Sequence, residues 1–270
     1  MADHALTFAF SPCPNDTFAF HALVHGLVPS VRVIPQLDDI EALNLGAERG
    51  EADITKVSMA AYGRVRHHYV LLHAGGAAGF GVGPIVVART PRPVGGRVAI
   101  PGARTTAALL LRLMGCFETV PMRFDRIEDA VLSGEVDCGV LIHEGRFTYE
   151  ARGLTLLEDL GRVWETRQQC PLPLAAIAIR RDLAALHGAR VDAALRASVE
   201  HAFAHPEASA AYVAAHAQEM DPEVTRRHIA LYVNDYTRAL DTQAVYRLVQ
   251  WAEAEGMFPP ADSTLPLFLA

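Results

Sequence analysis

The sequence predicts an α/β protein of two lobes, with mixed, mostly parallel sheets and a helical C-terminal part. Three observations carry that reading. Through the first 180 of the 270 residues, short apolar runs alternate with amphipathic segments, the β-α-β rhythm that right-handed crossovers turn into largely parallel sheets. Proline- and glycine-rich breaks interrupt it at 91–96 and 171–173, as when a chain leaves one lobe and returns to it. Beyond residue 190 the sequence turns alanine-rich and helically periodic. The expected division is therefore residues 1–92 with 175–270 as one discontinuous large lobe and 93–174 as a small one, with a ligand cleft between them. This is a periplasmic-binding-protein-like architecture.

The elements follow in order. Residues 6–10 form an apolar strand, and Pro12 and Pro14 stiffen the turn after it, where Asn15 or Asp16 can cap a helix that stops at Gly26. A strand over 31–35 and a helix through Leu43, Leu45 and Ala47 to Gly50 complete β-α-β-α. Residues 52–56 form the next strand, running into a helix with Ser58 at its start, and 69–72 another. Five glycines lie within 75–83, but a strand at 84–88 follows rather than a helix, so the stretch is a glycine-lined wall or hinge and not a dinucleotide fingerprint. The second series has strands at 97–100, 121–124, 138–142 and 154–157, with helices at 107–114 and 127–132. Residues 164–169 are helical or loop, 174–179 form a strand back in the first lobe, and helices cover 191–204, 206–219, 222–233 and 242–255. Pro206 and Pro222 stand where first-turn prolines belong.

Composition narrows the function. The net charge of −7 and the absence of a basic stripe argue against a nucleic-acid partner. No apolar run reaches membrane-span length and no secretory signal opens the chain, so a cytoplasmic, membrane-free protein is expected. The four cysteines are too far apart for a zinc or redox pair. No metal-binding H-E-x-x-H, P-loop or nucleophile elbow is present, so neither metal nor cofactor is expected.

Polar groups punctuate several strand ends, where open α/β sheets place their chemistry. They are Asn15 and Asp16, Lys56 and Ser58 in the first lobe, and Thr105, Thr106 and His143 in the second. His143 ends the apolar run 140–142 and is followed by Glu144 and Arg146. It reads either as a proton acceptor or as a core histidine bonded to a carbonyl. Thr105 and Thr106 open a helix, as ordinary caps or as an anion site. Arg146 can pair with Glu144, orient its loop or hold a carboxylate. Most of the remaining histidines, including His67, His68, His201 and His205, are read as solvated. The residues alone point to a small anionic ligand in a two-lobe cleft, either for cofactor-free acid–base chemistry or for binding.

The segment 11–18, Ser-Pro-Cys-Pro-Asn-Asp-Thr-Phe, resembles the N-terminal signature of the 1,4-dihydroxy-6-naphthoate synthase family of the futalosine route to menaquinone. The likeness runs on through 55–62, Gly75-Gly76, 81–84, 101–107 and 142–149, and ends near Asn234. It departs at Gly145, where the family is expected to have serine. The resemblance implies a cofactor-free carbon–carbon lyase that converts cyclic dehypoxanthine futalosine, a small carboxylate, to 1,4-dihydroxy-6-naphthoate and dihydroxyacetone. It also implies that His143 is the proton acceptor and that Lys56-Val57-Ser58 and Thr105-Thr106-Ala107 contact the substrate. Asn15 joins them from the strand-end reading. The rivals are a chorismate dehydratase of the same pathway and fold, a solute-binding protein, and a transcriptional ligand-binding domain, which lacks a DNA-reading segment ahead of Leu6.

Overall fold

A computed structural model describes residues 5–28, 31–217, 221–259 and 264–270. The expected helix end at 219 and the tail at 260–263 lie outside the described residues. The strands are β1 (Leu6–Phe10), β2 (Val33–Leu37), β3 (Ile54–Ser58), β4 (Tyr69–Leu71), β5 (Ala77–Gly79), β6 (Ile85–Ala88), β7 (Arg97–Ile100), β8 (Glu118–Pro121), β9 (Cys138–Leu141), β10 (Thr155–Asp159) and β11 (Leu172–Arg180). They build one sheet of order β2-β1-β3-β11-β4, with β5 also on β11, and a second of order β10-β6-β9-β7-β8. In the first sheet β1 pairs parallel to β2 and β3, and β11 runs against β3, β4 and β5. In the second, β7 pairs parallel to β8 and β9, and β6 runs against β9 and β10. Each sheet thus has one reversed strand, and each reversed strand is the one that enters a lobe.

That topology relocates the first crossing. The break at 91–96 does not separate the lobes, because β6 already belongs to the second sheet. The chain crosses at 80–84, where Val82, Gly83 and Pro84 are buried, whereas 89–93 are exposed. A proline-glycine cluster marks any solvated turn; here it marks the β6–β7 connection. The crossing itself needs small residues. A Cβ on Gly83 would lie 2.2 Å from Gly161 Cα, so the crossing backbone touches the start of the helix Leu160–Gln168. The return lies between the helix Leu160–Gln168 and β11.

Phe8 and Phe10 of β1 and Phe20 of the helix α1 (Pro14–Val24) pack with ring centroids 4.8–5.4 Å apart, in the core over which the helix Ala189–Ala204 also lies. A larger core runs through both lobes, from Val57 and Tyr62 to Val98, Val140 and Trp164. The tail packs down as its apolar content suggested: Leu267 O accepts from Tyr62 Oη at 2.8 Å and from the Leu71 amide at 2.9 Å. Several expectations shift, the strands expected at 31–35 and 52–56 lying two residues later at Val33–Leu37 and Ile54–Ser58. The strand expected at 121–124 lies at Glu118–Pro121, and a 3-10 turn takes Phe124–Arg126. The helix expected at 206–219 is a 3-10 turn, Pro206–Ser209, followed by the helix Ala210–His216.

Candidate active site in the interlobe cleft

One cleft gathers polar residues from both lobes. Ser11, Asn15, Lys56 and Ser58 line it from one side and Thr105, Thr106, Ala107 and His143 from the other. Between them stand Ile40, Val82, Pro84, Ile142, Leu174 and Tyr232, so the walls are apolar and the polar groups few. Val57 is not in the lining. Strand alternation turns Lys56 and Ser58 one way and Val57 the other, into the core with Tyr62.

The N-terminal turn is built inward. Pro14 occupies the first turn of α1, Cys13 is its N-cap without a side-chain cap bond, and Asn15 and Asp16 are buried instead of capping. Asp16 accepts from Ser11 Oγ at 2.6 Å and from Asn15 Nδ2 at 2.8 Å. Its two carboxylate oxygens each lie 2.6 Å from Lys56 Nζ. The ammonium of Lys56 is therefore committed to Asp16, and the pair presents little net charge to a ligand.

Ser58 begins the helix α2 (Met59–Val65) but makes no side-chain cap bond. Asn44 holds it instead: Nδ2 donates to Ser58 Oγ at 3.0 Å, and Oδ1 accepts from the Ser58 amide at 2.9 Å. An accepted bond uses a lone pair, so the Ser58 hydroxyl proton remains for the cleft. Thr105 is a true cap of the helix α3 (Thr106–Leu111), accepting from the Ala108 amide at 3.2 Å and donating to Gly102 O at 2.8 Å. The Thr106 hydroxyl donates to Leu174 O at 2.6 Å, tying the second lobe to β11 of the first. Both threonine hydroxyls thus hold structure. Arg104 adds to the closure, with its amide on the Glu41 carboxylate at 3.0–3.1 Å and its guanidinium on Glu48 at 3.0 Å.

His143 follows β9 with φ of +53°. A non-glycine residue in that left-handed region carries strain, which clusters at functional positions. Cys13 Sγ lies 3.5 Å from Nδ1 and 3.7 Å from Nε2, and the Phe124 ring meets the imidazole edge-on at 4.9 Å. Burial, and secondarily the Lys56 charge, push the His143 pKa down to about 3, so the ring is neutral at pH 7. Burial and the Glu144 carboxylate push the Cys13 thiol up, so it is no thiolate nucleophile. Arg146 takes neither the Glu144 pairing nor a free cleft position; it bonds Asp159 Oδ2 at 2.6 Å and Gly83 O at 2.5 Å, clamping the crossing. Gly145 faces Glu128 and Leu141 rather than the lining set, so a serine there would meet Glu128.

Two buried residues escaped the sequence reading. Asn44 is fully buried on an otherwise amphipathic helix. His228, which the sequence reading does not single out, is fully buried, its ring stacked 6.0 Å from that of His143. The signal was its place on the helix Pro222–Tyr232, on one face with Val224 and Tyr232. Among the described residues no three His, Cys, Asp or Glu side chains converge as a metal would require, and no helix is long and apolar enough to cross a membrane.

Comparison with known proteins bears on this arrangement. Residues 6–254 match a family described as menaquinone biosynthesis. A 1,4-dihydroxy-6-naphthoate synthase of Thermus thermophilus is 50% identical over 98% of this chain and 99% of that protein. One from Streptomyces coelicolor is 46% identical over 96% of each. A solved structure from Archaeoglobus fulgidus superposes with a TM-score of 0.91 at 39% identity, over 96% of this chain and 100% of that one. An alkanesulfonate-binding protein of Xanthomonas axonopodis, 14% identical over 96% of each chain with a TM-score of 0.71, shares the periplasmic-binding-protein-like fold. With matches of this extent, the chain belongs to the menaquinone biosynthesis family.

Proposed function

We propose that the cleft converts cyclic dehypoxanthine futalosine to 1,4-dihydroxy-6-naphthoate and dihydroxyacetone, with His143 as general base. The observation that carries this is a neutral imidazole, held in a strained backbone conformation at the wall of a largely apolar cleft. His143 takes a proton from the sugar-derived part of the substrate. Carbon–carbon cleavage and elimination follow, and aromatisation of the new ring drives the reaction. The substrate atoms divide between the two products, so no net redox change occurs.

A base with a pKa near 3 is weak. An anionic substrate beside it favours the imidazolium and raises that value in the complex. The substrate carboxylate lies toward Ser58, Thr105, Thr106 and Ala107, with the Ser58 hydroxyl as donor. Lys56 supports this wall through Asp16, and Asn15 lies beside it. Closure of the lobes over the ring excludes water and fixes the reacting atoms.

The test is to incubate the purified protein separately with cyclic dehypoxanthine futalosine and with chorismate, following product absorbance and released dihydroxyacetone. Turnover of the first alone is expected. His143→Ala should lower kcat by roughly 10²–10⁴-fold, the range for a lost general base. Turnover of chorismate, or wild-type kcat in His143→Ala, would overturn the assignment.

A further inference from the structure

We propose that His228 is a positioning residue that fixes the Asn15 side-chain amide as a hydrogen-bond donor at the His143 end of the cleft. This rests on the reading of His143 as the base. His228 Nε2 lies 2.9 Å from Asn15 Oδ1, and which terminal atom of Asn15 is the oxygen follows from Asp16, because Asn15 Nδ2 lies 2.8 Å from Asp16 Oδ1 and a carboxylate only accepts. The Asn15 oxygen is therefore the atom facing His228, and an amide oxygen cannot donate. The proton of this hydrogen bond sits on His228 Nε2.

His228 is thus the Nε2–H tautomer, with its lone pair on Nδ1. That atom is fully buried and has no hydrogen-bond partner among the described residues; Glu144 Oε1 stands 3.9 Å away. Burial and the neighbouring His143 hold the ring neutral. A buried acceptor without a partner is costly, and its retention fits a residue selected for what its other nitrogen does. The consequence lies at Asn15. Its oxygen is turned back to His228 and one N–H is used on Asp16, so the second N–H is the group left for the cleft it lines.

When His143 takes a proton, the electron pair moves toward a substrate oxygen, which gains negative charge. A preorganised amide N–H is the group that stabilises such an oxygen. Without His228, the Asp16 bond alone holds the Asn15 amide, its oxygen loses its donor, and the angle at which the second N–H meets the cleft is no longer fixed.

The test combines kinetics with tautomer assignment. His228→Leu removes the donor and keeps much of the volume, whereas His228→Gln replaces Nε2–H by an amide N–H. His228→Leu should lower kcat by about 10–100-fold with KM changed less than about 3-fold, a fraction of the 10²–10³ for a lost oxyanion donor. His228→Gln should keep kcat within about 5-fold of wild type, the donor being retained. Asn15→Ala combined with His228→Leu should cost no more than Asn15→Ala alone, as residues acting in series do. Nitrogen-15 NMR of the histidine-labelled wild-type protein, which needs no variant to fold, should show His228 protonated on Nε2 and bare on Nδ1. A proton on Nδ1, equal kinetic losses in the leucine and glutamine variants, or additive losses in the double variant would each overturn the proposal. Failure of the wild-type protein to convert the futalosine derivative would instead sink the function, while the tautomer measurement would still report on the Asn15 orientation.

Discussion

Replacing Asp16 by asparagine strips the counter-charge from an almost fully buried ammonium group. The Lys56 and Asp16 side chains are only 5% and 3% exposed, and Lys56 Nζ meets both carboxylate oxygens at 2.6 Å. Removing one partner of such a pair costs about 3–5 kcal/mol, because the remaining charge stays buried. The two single variants should differ. In Lys56→Met the carboxylate keeps donors from Ser11 Oγ at 2.6 Å and Asn15 Nδ2 at 2.8 Å, so the loss falls near the low end. In Asp16→Asn the ammonium loses the carboxylate that holds it and the loss falls near the high end. At about 2–4 °C per kcal/mol for a chain of this size, Asp16→Asn should lower the melting temperature by roughly 8–20 °C. The double variant Asp16→Asn/Lys56→Met should recover at least about 1 kcal/mol relative to the sum of the singles, as coupled neighbours do. Urea unfolding of the four proteins at pH 7 measures this cycle. Strict additivity, or Asp16→Asn within about 1 kcal/mol of wild type, would refute the reasoning and return Lys56 to the role of a free ligand cation.

Three further outcomes follow from the same geometry. His143 is held near pH 3 when folded and titrates at its ordinary 6.5 when unfolded; the unfolded state therefore binds more protons between these values, and stability is lost as pH falls through that window. His143→Gln should consequently lose less stability than wild type between pH 7 and pH 5, and parallel urea midpoints for the two proteins would contradict this. Gly83→Ala, whose Cβ would sit 2.2 Å from Gly161 Cα, should cost about 2–3 kcal/mol, whereas Gly95→Ala, with nothing within 4 Å, should stay within about 0.5 kcal/mol; thermal melts that rank them the other way would misplace the crossing. Thr106→Val breaks the 2.6 Å bond to Leu174 O that joins the lobes; it should cost about 1–3 kcal/mol and weaken binding of 1,4-dihydroxy-6-naphthoate, and unchanged calorimetric affinity would show that this bond does not serve closure.

The strand ends were legible because they depend on short-range pattern. An apolar run that stops at His143, or a helix that opens at Thr105, announces itself within a few residues. The misplaced crossing shows where local pattern misleads. Residues 91–96 have the composition of a hinge but lie on the surface, while the real passage at 80–84 is buried and defined by Gly83 touching Gly161, far along the chain. The role of each polar group was hidden for the same reason. Lys56 looks like a cation awaiting a ligand until Asp16, 40 positions earlier, is brought onto it. Ser58 looks like a cap until Asn44 takes both its amide and its oxygen.

His228 is the extreme case, since the residue it holds lies 213 positions away. A sequence states which side chains can carry a proton or a charge. Tertiary pairing decides which of them are already engaged with one another, and the chemistry falls to those left over. In this cleft the charges of Lys56 and Asp16 cancel locally and the hydroxyls of Thr105 and Thr106 are committed to backbone carbonyls. What remains in the lining is the neutral imidazole of His143, the hydroxyl proton of Ser58, an amide N–H of Asn15 and the phenol of Tyr232, set in apolar walls. A site so sparse in free charge is poorly suited to gripping a multiply charged ligand. It suits a ligand of low charge, whose polar groups meet a few neutral donors and acceptors between apolar walls.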